Sequence, residues 1–317
     1  MKLSYPRKQA VTRSAYPALL TNGQRKHVTR PVMTTRFIAL FRAARLLCHL
    51  AYGTLLSIIY PRLRLPIRQI ILKRWSAELL EILHVRLKIT GHPAPSHEQG
   101  SLLAANHISW LDVFAVNAAQ PSCFIAKSEV AGWPLVGMLC RRTRTVFIER
   151  DIRRDTVRIN RQVGEILGEG EQVVLFPEGT STDGTQVRHF HSSLFQSAID
   201  CEAFIQPVAI HYHNGSGKHC GDAAFIDDMN FFQSLRNILS SPSLHVTLTL
   251  LAPLACEGKN RRILAAEAQA AVGAILDAHA TRSTAIEAPR PRPQTAFRSA
   301  YSLLLNPISK LRQRHSG

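Results

Sequence analysis

Apolar and polar positions divide the chain into an apolar N-terminal stretch and a longer region of alternating short runs. From Phe37, "FIALFRAARLLCHLAYGTLLSIIYPRLRLP" is apolar but carries Arg42, Arg45 and His49. Its uninterrupted part, about Leu46 to Tyr60, is shorter than the roughly 20 residues that a spanning helix needs. The pattern predicts a helix lying in a bilayer interface or inserted partway, with its arginines reaching headgroups. A tilted span that snorkels those arginines is the alternative. A second helical pattern runs from about Ile67 to Leu83, and "RLKITG" follows as a short strand and turn.

Beyond it, apolar runs at 102–105, 123–126, 145–148, 172–176, 205–211 and 244–251 predict strands. Helical patterns lie between or after them at about 110–119, 129–140, 153–168, 191–200 and 260–279. Short strands separated by helices predict an α/β fold: a mixed, largely parallel sheet flanked by helices, behind an N-terminal membrane-associated helical element. The expected division is a basic arm (1–36), a membrane-associated helical segment (37–84), a catalytic domain (85–282) and a basic tail (283–317). Residues 214–242 break the rhythm and predict an insertion or lid-like loop.

Composition adds a partner class. The formal net charge is +17 and the pI about 10.3, and residues 1–36 hold eight Lys or Arg with no acid. Such a surface attracts nucleic acid, an anionic bilayer or an acidic carrier. No nucleic-acid-binding motif is visible, which turns the reading toward membrane and carrier and away from nucleic acid. The stretch "APRPRPQ" near the C-terminus reads as an extended linker. Six scattered cysteines without a CxxC pair argue against a zinc ribbon or a disulfide framework, and for a reducing compartment.

In folds of this kind ligands collect at the carboxyl ends of the strands. Asn106-His107 follow one predicted strand, Glu149-Arg150 another, and Pro177 to Thr182 a third. Within "AANHISWLD", His107 and Asp112 are five apart, about 140° around a regular helix, so they meet only if His107 precedes the helix. Ser109 with Asp112 has the spacing of a capping box, which supplies that break. Asp112 then either caps the helix with His107 a bystander, or orients His107 as a general base. There is no GxSxG, and Cys123 and Cys140 lack an adjacent histidine, so the couple suits direct transfer to a substrate hydroxyl. In "LFPEGTSTDG", Pro177 ends a strand, Gly179 permits close backbone approach, and Glu178 is expected to point into the site. Thr180, Ser181 and Thr182 offer hydroxyls and amides for an oxyanion or headgroup, though a plain polar turn has the same composition. The pairs His189/His191 and His211/His213 have strand spacing, but no nearby carboxylate completes a zinc set, and no metal is expected.

Four ordered blocks, "NHISWLD" (106–112), "FIER" (147–150), "FPEGTST" (176–182) and "QPVAI" (206–210), together resemble the glycerolipid acyltransferase family. Its best-known members acylate 1-acylglycerol-3-phosphate. The stretch "FIAKSEVAGWPLVG" (124–137) is also similar, and the resemblance covers roughly residues 85–255. It implies His107 as general base, Asp112 as its orienting partner, and Arg150 on the acceptor's anionic headgroup. Glu178 and Gly179 would line the acceptor site, with Thr180 and Ser181 beside them. Asn106, Phe176, Pro177 and Pro207 belong to the blocks as shaping residues. It further implies acyl-CoA or acyl–acyl carrier protein as donor, a lysolipid as acceptor, no cofactor, and a place at the cytoplasmic face of the inner membrane. One position departs: phosphatidate-forming members usually carry Arg after "EGT", where this chain has Ser181. Losing that guanidinium removes a bidentate phosphate clamp. "EGTSTDG" followed by "SSLF" is more similar to relatives that acylate lyso-ornithine lipid, so that acceptor is expected, with lysophosphatidate as the alternative. An acyl-ester hydrolase is the nearest enzymatic rival.

Overall fold

The computed structural model describes residues 32–93, 100–149, 153–226 and 229–287. Most of the expected basic arm and tail therefore lies outside the described residues. Helices α1 (Val32–Ile59) and α2 (Leu65–Ile82) come first, followed by β1 (Val85–Gly91), β2 (Ser101–Ala105), α3 (Asp112–Ala119) and β3 (Ser122–Lys127). Then come α4 (Ser128–Ala131), α5 (Pro134–Arg142), β4 (Val146–Ile148), α6 (Arg153–Gly168) and β5 (Gln172–Leu175). The chain continues through α7 (Gln196–Asp200), β6 (Phe204–His213), α8 (Phe231–Ser240), β7 (Leu244–Leu250) and α9 (Arg261–Glu287).

The strands form one seven-stranded sheet in the order β1-β7-β6-β2-β5-β3-β4. Strands β6, β2, β5, β3 and β4 are parallel, while β7 runs antiparallel to β6 and parallel to β1. This is the mixed, largely parallel sheet expected from the sequence. Its central strand β2 is buried at every position, because both faces are covered by helices. Leu103 and Ala105 join a core with α2 and α3, whereas Leu102 and Ala104 join a second core with α6 and α9.

Several boundaries differ from the sequence pattern. The helix expected over 129–140 is broken, because Pro134 removes a donor and holds Trp133 in an extended conformation (φ −75°, ψ 124°). The helix expected from 110 begins at Asp112, and 191–200 opens with a 3-10 turn at Ser193–Phe195 before α7. The segment 214–242 is not a loose lid. It carries α8, whose start is closed by a capping box between Asn230 and Gln233, and it buries Ala223, Ala224 and Ile238 in the core.

Helix α1 is tied down at chosen points only. A Cβ at Gly53 would lie 2.5 Å from the Trp75 indole nitrogen, so only glycine lets α1 approach α2 there. His49 stacks on Trp75 with ring centroids 4.9 Å apart, and Arg42 donates to the Leu239 carbonyl of α8 at 3.2 Å. Phe37, Leu40, Phe41, Leu47 and Leu55 stay exposed. The helical stretch Phe37–Arg62 is long and apolar enough, by length and composition, to cross a membrane. It is therefore longer than the uninterrupted apolar run suggested, and suited to membrane association.

On the α9 side of β6, His211 is 5% exposed, stacks on His279 at 4.4 Å, and its Nδ1 has no hydrogen-bond partner among the described residues. Burial, then the neighbouring His279, His213 and His219, hold its imidazole down at about 3. The unfolded chain therefore binds this proton more readily than the folded one, and stability must fall as pH drops from about 6.5 toward 3. Urea unfolding at pH 7 and pH 5 should show that loss in the wild type and a smaller one in His211→Asn.

Candidate active site

Strand β2 lies beside β5, with Ala104 opposite Leu175, and beside β6, with Ala105 opposite Val208. The segments after β2 and β5 thus leave the sheet at the same edge as neighbours. Asn106 fixes the first step. Its buried side chain donates to the Ile210 carbonyl at 3.0 Å and accepts the Ile210 N–H at 2.8 Å, pinning the chain to β6.

His107 follows, and the 176–182 turn holds its backbone at both ends. Its N–H donates to Glu178 Oε1 at 2.9 Å, and its carbonyl accepts the N–H and hydroxyl of Thr182 at 2.8 and 3.2 Å. Its ring stacks on Phe176 with centroids 4.2 Å apart at 19°, and Phe176 in turn faces Phe124 at 6.2 Å. The side chain keeps 25% of its surface exposed.

Asp112 is fully buried and accepts four hydrogen bonds. Its Oδ2 takes His107 Nδ1–H at 2.9 Å and the N–H groups of Ile108 and Ser109 at 2.7 and 2.9 Å. Its Oδ1 takes the Tyr212 hydroxyl at 2.8 Å. One carboxylate therefore closes the helix start and engages the imidazole, so the cap and the couple are not alternatives. The Ser109 hydroxyl accepts the Leu111 N–H at 3.3 Å, a weaker contact than the acid makes. With Nδ1 donating, Nε2 carries the free lone pair. Among the described residues nothing hydrogen-bonds to it.

The turn after β5 is held by its own side chains. Glu178 is 5% exposed, and its second oxygen accepts the Arg188 N–H at 3.0 Å. Burial raises its carboxyl above the ordinary range, while the His107 and Arg188 amides oppose that shift. Both oxygens thus serve backbone amides. Gly179 has φ +74°, a conformation that favours glycine, and donates to the Phe176 carbonyl at 3.1 Å. The Ser181 hydroxyl donates to the Phe225 carbonyl, and the Phe225 N–H donates to Ile108 at 2.9 Å, so the 214–230 segment is strapped to the site. Thr180 is exposed. The carbonyl of buried Pro177 accepts the His191 N–H at 2.9 Å. Pro207 is buried within β6 opposite Ala104, inside the sheet rather than at its edge. Arg150 lies outside the described residues. No group of three or more potential metal ligands occurs among the described residues, and His189 and His191 meet edge to face at 5.5 Å.

Sequence reasoning missed Tyr212, the Arg188 amide and Phe225. A signal for Tyr212 existed: it shares the period-two face of Val208 and Ile210, two residues beyond "QPVAI". The histidines on either side drew attention instead.

Residues 86–211 match the family model described as Acyltransferase. The chain is 37% identical over 244 residues to a lyso-ornithine lipid O-acyltransferase of Pseudomonas aeruginosa, covering 75% of this chain and 93% of that protein. This chain belongs to the acyltransferase family. It is also 44% identical over 149 residues to a 1-acyl-sn-glycerol-3-phosphate acyltransferase of Neisseria meningitidis, covering 47% of this chain and 58% of that relative's length. The crystal structure of the 1-acyl-sn-glycerophosphate acyltransferase from Thermotoga maritima shares the fold at a TM-score of 0.59. That match has 17% identity and covers 82% of this chain and 99% of the other. The family match spans His107, Asp112 and the Asn106–Ile210 clamp, and ends one residue before Tyr212.

Glu178→Gln would set an amide donor against a backbone N–H. It should lower stability by about 1–3 kcal/mol, read as a drop in thermal midpoint. Glu178→Asp, which keeps two acceptors on a shorter stem, should recover part of the loss.

Proposed function

We propose that this chain is a lysolipid O-acyltransferase that uses His107 as its general base. The observation that carries this reading is the imidazole locked through Nδ1 to a buried carboxylate, with Nε2 unengaged at a partly exposed sheet edge. Nε2 takes the proton of the acceptor hydroxyl as its oxygen attacks the thioester carbonyl of acyl–acyl carrier protein or acyl-CoA. The new C–O bond forms, the C–S bond breaks, and the proton passes from Nε2 to the departing thiolate. Asp112 keeps the ring in the productive tautomer and stabilises the transient imidazolium. Glu178 and Gly179 hold the loop on which His107 depends, and Thr180 and Arg150 are the candidates for acceptor contacts.

Lyso-ornithine lipid is the acceptor we favour. The Pseudomonas relative matched over 93% of its length carries that name. At the position where phosphatidate-forming members usually carry Arg, Ser181 has no charge, and its hydroxyl is engaged by the Phe225 carbonyl. A bidentate phosphate clamp cannot come from that residue. Lysophosphatidate is the second reading, favoured by the 44% identity to the Neisseria protein. The exposed apolar face of α1 and the net charge of +17 support a site at an anionic membrane surface, on the cytoplasmic face where acyl donors are found.

Membranes containing the protein, given acyl–acyl carrier protein or acyl-CoA and a panel of lysolipids, should convert lyso-ornithine lipid in preference to lysophosphatidate, read by mass spectrometry. His107→Ala should lose at least about a thousandfold in rate. Equal products from wild type and His107→Ala would refute the mechanism; preference for lysophosphatidate would refute the acceptor alone. Donor consumption that ignores the acceptor would favour a hydrolase.

A further inference from the structure

We infer that Tyr212 is a positioning residue for the His107–Asp112 couple. This deepens the proposed function, resting on His107 as the reacting base. Tyr212 lies in β6, far from Asp112 in sequence, and its side chain is completely buried. Its hydroxyl donates to Asp112 Oδ1 at 2.8 Å. Among the described residues no other donor reaches that oxygen, since His107, Ile108 and Ser109 all converge on Oδ2.

A carboxylate rotates as a unit, so fixing Oδ1 fixes the direction in which Oδ2 presents its lone pairs. Without the phenol, Oδ1 would be a buried anionic oxygen lacking a donor, and the group would turn to share its remaining donors between both oxygens. The imidazole follows the oxygen it is bonded to. It also stacks on Phe176, which sets the ring plane and leaves rotation within it open. Tyr212 can only donate here: burial, reinforced by the Asp112 charge, raises its hydroxyl well above the ordinary phenol range.

The same strand supplies Ile210, whose backbone clamps Asn106. One strand therefore positions His107 twice, once through the backbone that precedes it and once through the acid that orients its ring. Outer hydrogen-bond partners that orient metal-bound imidazoles carry effects of about 10- to 100-fold, and an effect of that order is expected of the phenol here.

The test is Tyr212→Phe, which keeps the ring and removes the donor. In the membrane acylation assay kcat should fall about tenfold, with the KM for acceptor unchanged. In parallel, the protein without substrate is treated with diethyl pyrocarbonate and His107 modification is followed by peptide mass mapping. The Tyr212→Phe protein, still folded by thermal denaturation, should label His107 several-fold more slowly than wild type. Unchanged labelling and unchanged kcat in the folded variant would overturn the inference, and a lower thermal midpoint with both unchanged would make Tyr212 structural only. Because labelling needs no substrate, slowed labelling alongside an inactive wild type would uphold the positioning role while refuting the acyltransferase mechanism.

Discussion

A carboxylate with no exposed surface must find donors for both oxygens or remain uncharged. Asp112 finds four, three from the loop that leaves β2 (the Ile108 and Ser109 amides and the His107 imidazole) and one from the phenol of Tyr212 on β6. The rest of the site is arranged to make that meeting possible. Strand β2 must sit between β5 and β6 so that its departing chain can be clamped from both sides. The Asn106–Ile210 pair does this on one side, and Glu178 with Thr182 on the other. Local structure, packing and candidate chemistry therefore share one set of hydrogen bonds.

Two polar residues expected at the acceptor site also have partners within the fold. Glu178 uses both oxygens on amides, and Ser181 uses its hydroxyl on Phe225. These bonds hold the 176–182 turn against the loop that carries His107 and against the 214–226 segment. Thr180, exposed beside Ser181, is the described residue to which the proposed function gives an acceptor contact. A rigid support beneath the imidazole suits the proton transfer proposed for it, since small displacements of a base are costly in rate.

The sheet and its parallel core were legible because buried strands write uninterrupted apolar runs, and "SLLAA" and "QVVL" do so plainly. The Ser109 to Asp112 spacing breaks the helix and so permitted the pairing of His107 with Asp112, but it left a bystander His107 open. Only the four ordered blocks together pointed to the couple. What sequence could not supply was partnership across the sheet. Nothing local to Tyr212 announces that its hydroxyl meets an acid a hundred residues earlier, and alternation alone gives it only a core-facing side. Residues 214–242 were misread for a related reason: their short buried patches at Ala223–Ala224 and Ile238 have no long period to reveal them.

The central claim is that the Asp112 charge organises the fold of this loop and the chemistry of His107 together. Asp112→Asn tests it most directly, with thermal unfolding and turnover measured on the same preparation. An amide cannot accept all four hydrogen bonds and presents two N–H donors of its own. The account predicts a stability loss of about 3 kcal/mol together with a fall in kcat of about a thousandfold or more. A variant that is inactive yet as stable as wild type would contradict the shared role, and one that keeps both properties would contradict the account altogether.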